Sequence, residues 1–370
     1  MTILVIGGTG FIGPHLVRQL ARMGHSVTVF HRGSTNPELP AEHILGDRRD
    51  LATFHPKADV VIDLILSAGS QAKALMEAYR GVAQRVVAAS SMDVYRACGV
   101  FHGSEEGPIE PVPLTEESAL RTKLQTYPPP QVKMLQKIFG WLDDAYDKIP
   151  VENAVLGDRE LPGTVLRLSM VYGPGDHLRR FHPILKRIDD GRRVILLQEG
   201  IAQWRSPRGY VENVAAAIAL AAVSEQAAGR IYNVAEVPAF SELAWARKIA
   251  VATEWDGDFV VLPKERMPAH LLQPGNSAQH WEADSSRIRR ELGYLEPVPL
   301  EEAIRRTVAW ERANPPGEFS MHKFDSPPRT PPCRRVRLGD HRRLPHWRSE
   351  FCLKPWRSGC ARPGTASASP

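Results

Sequence analysis

A doubly wound α/β fold, with helices on both faces of a parallel sheet, is predicted by three features of the chain. Six short apolar runs alternate with helical patterns over the first 170 residues. The chain opens on a strand that ends in a glycine-rich turn. After residue 175 the elements become shorter, as expected of a second, smaller α/β lobe. Strands buried on both faces read as continuous apolar runs, and strand–helix alternation supplies the crossovers a parallel sheet needs.

The six runs are "ILVIGG", "SVTVFHR", "HILGD", "ADVVIDLIL", "QRVVAAS" and "GTVLRLS". Between them, "FIGPHLVRQLARMG" and "QAKALMEAYRG" read as helices stopped by Gly24 and Gly81. Residues 99–130, rich in proline and acid, break the rhythm and read as a long loop, of a kind usually functional or mobile. "WLDDAYDKIPVE" (141–152) reads as a helix carrying Lys148, with Asp144 one turn earlier on the same face. Later come a helix near 180–190, the strand "RRVILL", the alanine-rich helix "VAAAIALAAV" and the strand "RIYNVAE". A helix after Ser241, the strand "DFVVLP" and amphipathic helices near 282–291 and 299–313 complete the lobe. The expected division is a dinucleotide domain over 1–174, with 204–225 packing back on it, and a substrate lobe over 175–316. A basic Pro/Arg-rich tail follows over 317–370.

The charge is unevenly spread. Residues 321–370 hold 11 Lys or Arg against three acids, which leaves 36 against 39 in the rest. The body is therefore mildly acidic, which argues against nucleic acid as its partner. The tail has no apolar period, and disorder is the reading its composition favours. A nucleic-acid arm or a shifted reading frame in GC-rich coding sequence are the alternatives. Three of four cysteines lie in that tail, and Cys98 alone belongs to the body. A disulfide framework is excluded there, which suits a reducing cytoplasm. A strand begins at residue 2 with no signal peptide before it, and the longest apolar run is about half a membrane span. Cytoplasmic location, with no membrane partner, is the expectation. The histidines show no metal-ligand spacing, so no metal site is expected.

The strongest chemical signal is "ILVIGGTGFIG". Gly7 permits a tight turn, Gly10 lets backbone approach a pyrophosphate, and Gly13 lets helix pack on strand. Phe11 and Ile12 lie where the new helix offers unpaired N–H donors and a positive dipole end. The G-x-x-G-x-x-G spacing resembles the short-chain dehydrogenase/reductase superfamily, in its extended NAD-dependent epimerase/dehydratase branch. Agreement continues at "GDRRD", "VVAASSMDVY", "DKIPVE", "RLSMVYGPGD", "RGYVENVAAAI" and "GRIYNVAE", covering about residues 1–315. The resemblance implies a Rossmann-type domain binding NAD or NADP, a nucleotide-sugar or similar substrate, and pairing of two copies through helices flanking the sheet.

It also assigns residues. Relatives preferring NAD end the second strand in an acid for the ribose 2′-hydroxyl, whereas this chain has His31 and Arg32. Arg32 either pairs with a 2′-phosphate, favouring NADP, or is an ordinary solvated arginine. Asp47 matches the adenine-contacting acid, or else caps the helix starting near Asp50. Ser91, four residues before Tyr95, matches the catalytic hydroxyl. In 4,6-dehydratases an Asp-Glu pair follows; Met92 and Asp93 stand there, so dehydration is disfavoured, and Asp93 is either a substrate contact or a loop cap. The family's Y-x-x-x-K pair is degenerate, because Asp144 stands four residues before Lys148. Lys148 would hold the nicotinamide ribose. Tyr146 remains as acid/base, though on an ideal helix it points about 200° away. Asp144 and Lys148 would instead form an ion pair. Arg208 matches the residue gripping a substrate diphosphate, or is a solvated loop arginine, with Arg205 beside it and Trp204 placed to stack on a base.

The reading is an NAD(P)-dependent epimerase/reductase-like enzyme acting at a hydroxyl or carbonyl carbon, with Ser91, Tyr146 and Lys148 as its catalytic group. The alternative is a dinucleotide-binding protein with little turnover, RNA-associated as some members of this group are. Truncation after Phe319 is expected to leave melting temperature and dinucleotide affinity nearly unchanged. A large drop in melting temperature would show that the tail packs on the body.

Overall fold

The first apolar run forms β1 (Thr2–Ile6), whose alternating side chains already separate two cores. Ile3 and Val5 point into one and Leu4 and Ile6 into the other, as successive strand residues must. The computed structural model describes residues 1–316 except Asn36, Ala52 and Thr126; the expected tail over 317–370 lies outside the described residues.

The other five runs form β2 (Ser26–His31), β3 (Glu42–Leu45), β4 (Val60–Asp63), β5 (Arg85–Ser91) and β6 (Gly163–Leu168). With them lie α1 (Gly13–Arg22), α2 (Gly69–Tyr79), α3 (Arg96–His102), α4 (Pro129–Ile138) and α5 (Lys148–Leu156). The later chain gives β7 (Met170–Tyr172), α6 (His182–Asp189), β8 (Val194–Gln198), α7 (Glu199–Gln203) and β9 (Arg208–Tyr210). Then come α8 (Val211–Val223), β10 (Ile231–Val234), α9 (Glu242–Ala252), β11 (Asp258–Leu262), α10 (Ser286–Leu292) and α11 (Leu300–Ala313).

Seven strands form one parallel sheet in the order β10-β6-β5-β4-β1-β2-β3. The chain winds outward from β1 to β3, then returns to β4 on the other side. That reversal opens a crevice at the carboxyl ends of β1 and β4, where α/β sheets of this kind bind ligands. α1 and α8 cover one face and α2 and α5 the other. Buried Ala215, Ala217, Ala219, Ala221 and Ala222 let α8 sit close to its neighbours. β10 falls within the stretch 175–316, yet it completes the main sheet beside β6. The two-stranded pairs β8–β11 and β7–β9 lie outside that sheet. Among the described residues no helix is long and apolar enough to cross a membrane.

The stretch 141–152 is not one helix, which corrects the sequence reading. Asp147 is the N-cap: its carboxylate accepts from the Ile149 N–H at 2.9 Å, and α5 starts at Lys148. Pro150 then falls in the first turn, where its missing N–H costs nothing. The segment before it is turn and coil.

The loop from 103 to 128 is held rather than loose. Buried Arg121 pairs with Asp147 at 3.1 Å and donates from Nε to the Asp93 carbonyl at 2.5 Å. The Glu105 carboxylate accepts from the N–H groups of Thr122 and Lys123 at 2.7 and 2.8 Å.

Below the sheet's carboxyl edge runs a buried polar chain. Glu152 accepts from Ser90 at 2.5 Å and from Arg167 at 2.7 Å. Arg167 also donates to the Tyr95 hydroxyl at 3.1 Å, which itself donates to Asn233 at 2.6 Å. α5, β5, β6 and β10 are thereby joined. Breaking such a pair strands a charge in the core, so Arg167→Met is expected to cost about 3–5 kcal/mol of stability in urea denaturation.

Candidate active site

The glycine turn carries two different demands. Gly7 has φ +82°, a conformation that suits glycine, and its N–H donates to the Phe30 carbonyl at 3.3 Å. A Cβ on Gly13 would lie 2.3 Å from the Gly8 carbonyl group, so α1 can cross β1 only with glycine there. Gly10 differs. A Cβ there would meet only the Gly7 oxygen, at 3.7 Å. Nothing inside the protein requires glycine at position 10, whereas a pyrophosphate pressed against the turn would. Ile12 caps α1 without a side-chain hydrogen bond, so no side chain claims the donors of its first turn. These residues fit a dinucleotide pyrophosphate. The Phe11 ring lies beside Gly175, whose Cβ would meet it at 3.3 Å.

At the end of β2, His31 is buried and stands 3.0 Å from His43 on β3. Its Nδ1 accepts from the Gly33 N–H at 3.2 Å, leaving Nε2 to carry the proton toward His43. Burial holds its pKa down. Arg32 is exposed and donates to the Gly140 carbonyl at 3.3 Å. Asp47 caps the short turn Arg48–Asp50 and pairs with Arg49 at 2.8 Å. That hydrogen bond holds its carboxyl down to about 2.

At the end of β5 the candidate residues meet. Ser91, the last strand residue, accepts from the Asp93 N–H at 3.2 Å, so it caps the turn that points Asp93 inward. Asp93 is buried, and its Oδ2 accepts from the Tyr146 hydroxyl at 2.8 Å. Ser91 lies near enough to that phenol to favour its ionised form. Lys148 Nζ donates to the Ala89 carbonyl at 2.9 Å and to the Leu66 carbonyl, and lies 5.9 Å from the Tyr146 ring centre. Burial lowers its pKa to about 8. Segment 63–67 links this group to the glycine turn, since a Gly7 Cβ would meet Ile65 at 2.6 Å.

Two expectations fail here. Tyr146 does not point away from Lys148, because no helix separates them. Asp144 makes no pair with Lys148; it is exposed and bound to Lys133 at 2.7 Å. One residue was missed. Tyr127, delivered by the pinned loop, reaches Asp93 Oδ2 at 3.4 Å and lies 6.0 Å from the Tyr146 ring. No motif marks a lone tyrosine in a proline-rich loop.

The substrate-side residues also behave differently from expectation. Trp204 is buried and stacks on Phe101 at 4.5 Å, so it is not available to a base. Arg205 is exposed and pairs with Glu282 at 3.3 Å. Arg208 is not solvated; it is 6% exposed, pairs with Glu242 at 2.7 Å and lies over the Trp245 ring at 4.8 Å. Its Nε is buried without a partner, as is that of Arg180.

Fold and crevice together define a dinucleotide-binding α/β protein. The chain matches the NAD dependent epimerase/dehydratase family over residues 3–125 and 145–235, and it belongs to that family. It is similar to the chloroplast stem-loop binding protein of 41 kDa b of Arabidopsis thaliana, at 25% identity over 252 residues, 63% of this chain and 58% of that protein. The chain thus spans less than two thirds of that relative. It is 27% identical over 345 residues to the 2-alkyl-3-oxoalkanoate reductase of Stenotrophomonas maltophilia, covering 84% of this chain and 99% of the reductase. Its fold is similar to that of the UDP-glucose-4-epimerase from Stenotrophomonas maltophila with bound NAD and formylated UDP-arabinopyranose. That likeness has a TM-score of 0.61 and 19% identity, over 85% of this chain and 98% of the other.

Gly10→Val is expected to fold with near-normal stability, because the Cβ has room, while losing at least about tenfold in NAD(P) affinity by calorimetry. Unchanged affinity in the folded variant would remove the turn from the binding site.

Proposed function

We propose that the protein is an NAD(P)-dependent oxidoreductase that moves a hydride at a hydroxyl or carbonyl carbon of a nucleotide sugar or similar substrate, leading to epimerisation or reduction. The observation that carries this reading is the meeting of Ser91, Tyr146 and Lys148 at the sheet's carboxyl edge, beside the glycine turn. A bound nicotinamide dinucleotide supplies the hydride acceptor. Gly7, Gly10, Phe11, Ile12 and Gly13 hold its pyrophosphate, and the Lys148 ammonium holds the nicotinamide ribose. Ser91 polarises the reacting oxygen and Tyr146 exchanges its proton.

The second strand presents no carboxylate to repel a 2′-phosphate, and Arg32 stands exposed beside it. NADP is therefore the form we propose. On the substrate side, the unpartnered Nε–H groups of Arg208 and Arg180 are donors suited to a phosphate.

The test begins with a cofactor titration and proceeds to a screen of nucleotide sugars and keto acids for reduced-cofactor absorbance. Tyr146→Phe is expected to abolish turnover with cofactor affinity intact, since only the proton-carrying hydroxyl is lost. Lys148→Met is expected to weaken cofactor binding. Failure of NADP and NAD alike to bind would defeat the reading.

A further inference from the structure

The residue that fits its surroundings least as a mere loop cap is Asp93. Its backbone N–H is taken by Ser91 and its carbonyl by Arg121, so the turn is complete without the carboxylate. The carboxylate is nonetheless 2% exposed, accepts two phenols on Oδ2, and leaves Oδ1 buried with no partner. An unpaired buried oxygen is costly unless it serves a bound group or a proton. Lys148 does not satisfy it, because its ammonium donates to two main-chain carbonyls instead. Arg121 spends its guanidinium on Asp147, the Lys123 carbonyl and the Asp93 carbonyl.

We propose that Asp93 is the proton acceptor of the site, taking the phenolic proton of Tyr146 as Tyr146 takes the proton of the reacting hydroxyl. The assignment rests on hydroxyl oxidation being the reaction. In that direction the substrate O–H bond breaks and its proton goes to Tyr146 Oη. The Tyr146 proton passes along its 2.8 Å hydrogen bond to Asp93 Oδ2. The electron pair left on the substrate oxygen closes the carbonyl as the carbon gives its hydride to the nicotinamide dinucleotide. Asp93 ends as a neutral acid and Tyr146 as a phenol, so no phenolate accumulates. Reduction runs the same transfers backward.

The electrostatics agree. Burial, then the Asp93 charge beside it, push the Tyr146 phenol well above its ordinary value, which makes a standing phenolate costly. Burial also raises Asp93, opposed by Arg121, the Tyr146 hydrogen bond and Lys148, and assisted by Asp147. Asp93 is thus a better proton acceptor than an exposed carboxylate. Cys98 also lies near Asp93, and burial keeps its thiol protonated. Tyr127, as the second donor on Oδ2, orients the carboxylate.

The two groups must titrate as a coupled pair, and this can be read without a substrate. In full-length protein carrying 13C at tyrosine Cζ and aspartate Cγ, NMR follows both groups over about pH 3 to 11, with the variants providing assignment. Asp93→Asn is expected to make Tyr146 begin to ionise at least about one pH unit lower than in wild type, since both the charge and the acceptor are gone. Tyr146→Phe is expected to raise the Asp93 midpoint, because the ionised form loses a donor. A Tyr146 onset or an Asp93 midpoint left unmoved overturns the proposal, and if Asp93→Asn does not fold, Tyr146→Phe carries the test alone.

Kinetics adds a readout that a structural role would not move. Oxidation should fall as pH drops through the Asp93 midpoint, whereas reduction should fall as pH rises through it. Asp93→Asn should lose both limbs and at least about a hundredfold in kcat, with cofactor Kd unchanged. Retained limbs in Asp93→Asn would overturn the proposal. Cofactor binding lost in wild type would instead defeat the oxidoreductase reading, which separates the two failures.

Discussion

Two buried charges four residues apart on α5, Lys148 and Glu152, decide where everything at this edge of the sheet must stand. Neither can leave water without full compensation. Lys148 finds the carbonyl of Leu66, just past β4, and that of Ala89 in β5. Glu152, one turn deeper, finds Ser90 of β5 and Arg167 of β6. A helix face carrying both groups can therefore occupy only one axial position over the strands. Close packing enforces it from outside, since a Cβ on Gly69 of α2 would meet Pro150 at 2.6 Å. The ion pair is weak evidence for stability as such; its consequence is registry.

That registry explains the altered spacing of tyrosine and lysine. In the family pattern both residues lie on a helix, so a spacing of four puts them on one face. Here Lys148 is the first helical residue, and a tyrosine one turn earlier would lie in coil. Asp147 between Tyr146 and Lys148 is extended, with φ −161° and ψ 130°. In extended chain residues i and i+2 share a side. The two-residue spacing therefore does in strand-like backbone what a four-residue spacing does in helix, and it brings the Tyr146 ring beside the ammonium. The Asp147 carboxylate serves three ends at once, capping α5, pairing with Arg121 and accepting from the Gln125 N–H at 2.6 Å. The loop that carries Tyr127 is thus tied to the residue that starts the helix.

The sheet was legible because its signals are local and redundant. Each of the six runs that became parallel strands is short, apolar and bounded by turn residues, and the glycine turn fixed which one came first. The site was legible only in part. Ser91 and Lys148 follow from motif position, but two signals in the sequence speak against a single helix over 141–152. An aspartate directly before the helix and a proline in its first turn mark a start at Lys148, not an interior. With the helix starting at Lys148, the separation of about 200° between Tyr146 and Lys148 does not arise. Tyr127 and the Glu242 partner of Arg208 had no such signal. Their places depend on contacts across long stretches of chain, 34 residues between Asp93 and Tyr127 and 34 between Arg208 and Glu242.

The glycines of the turn show how a motif can be separated into what the fold needs and what a ligand needs. Gly13 answers to the protein itself, since any Cβ would occupy the space of the Gly8 carbonyl. Gly7 answers to backbone torsion. Gly10 answers to neither, because its Cβ would have room and no unusual φ to adopt. A glycine turn kept only for helix packing would leave position 10 open to alanine or larger residues. Its glycine is accounted for by something outside the chain that must come closer than a side chain allows. α1 supplies a reason for that approach at the same point, since its first turn has donors that no side chain caps. Asp93 bears the same relation to the other end of the crevice. Its carboxylate is not needed to complete the turn it sits in, and one of its oxygens is buried without a partner. Where a residue's conformation and packing leave part of its chemistry unexplained, that remainder is the part to assign to function.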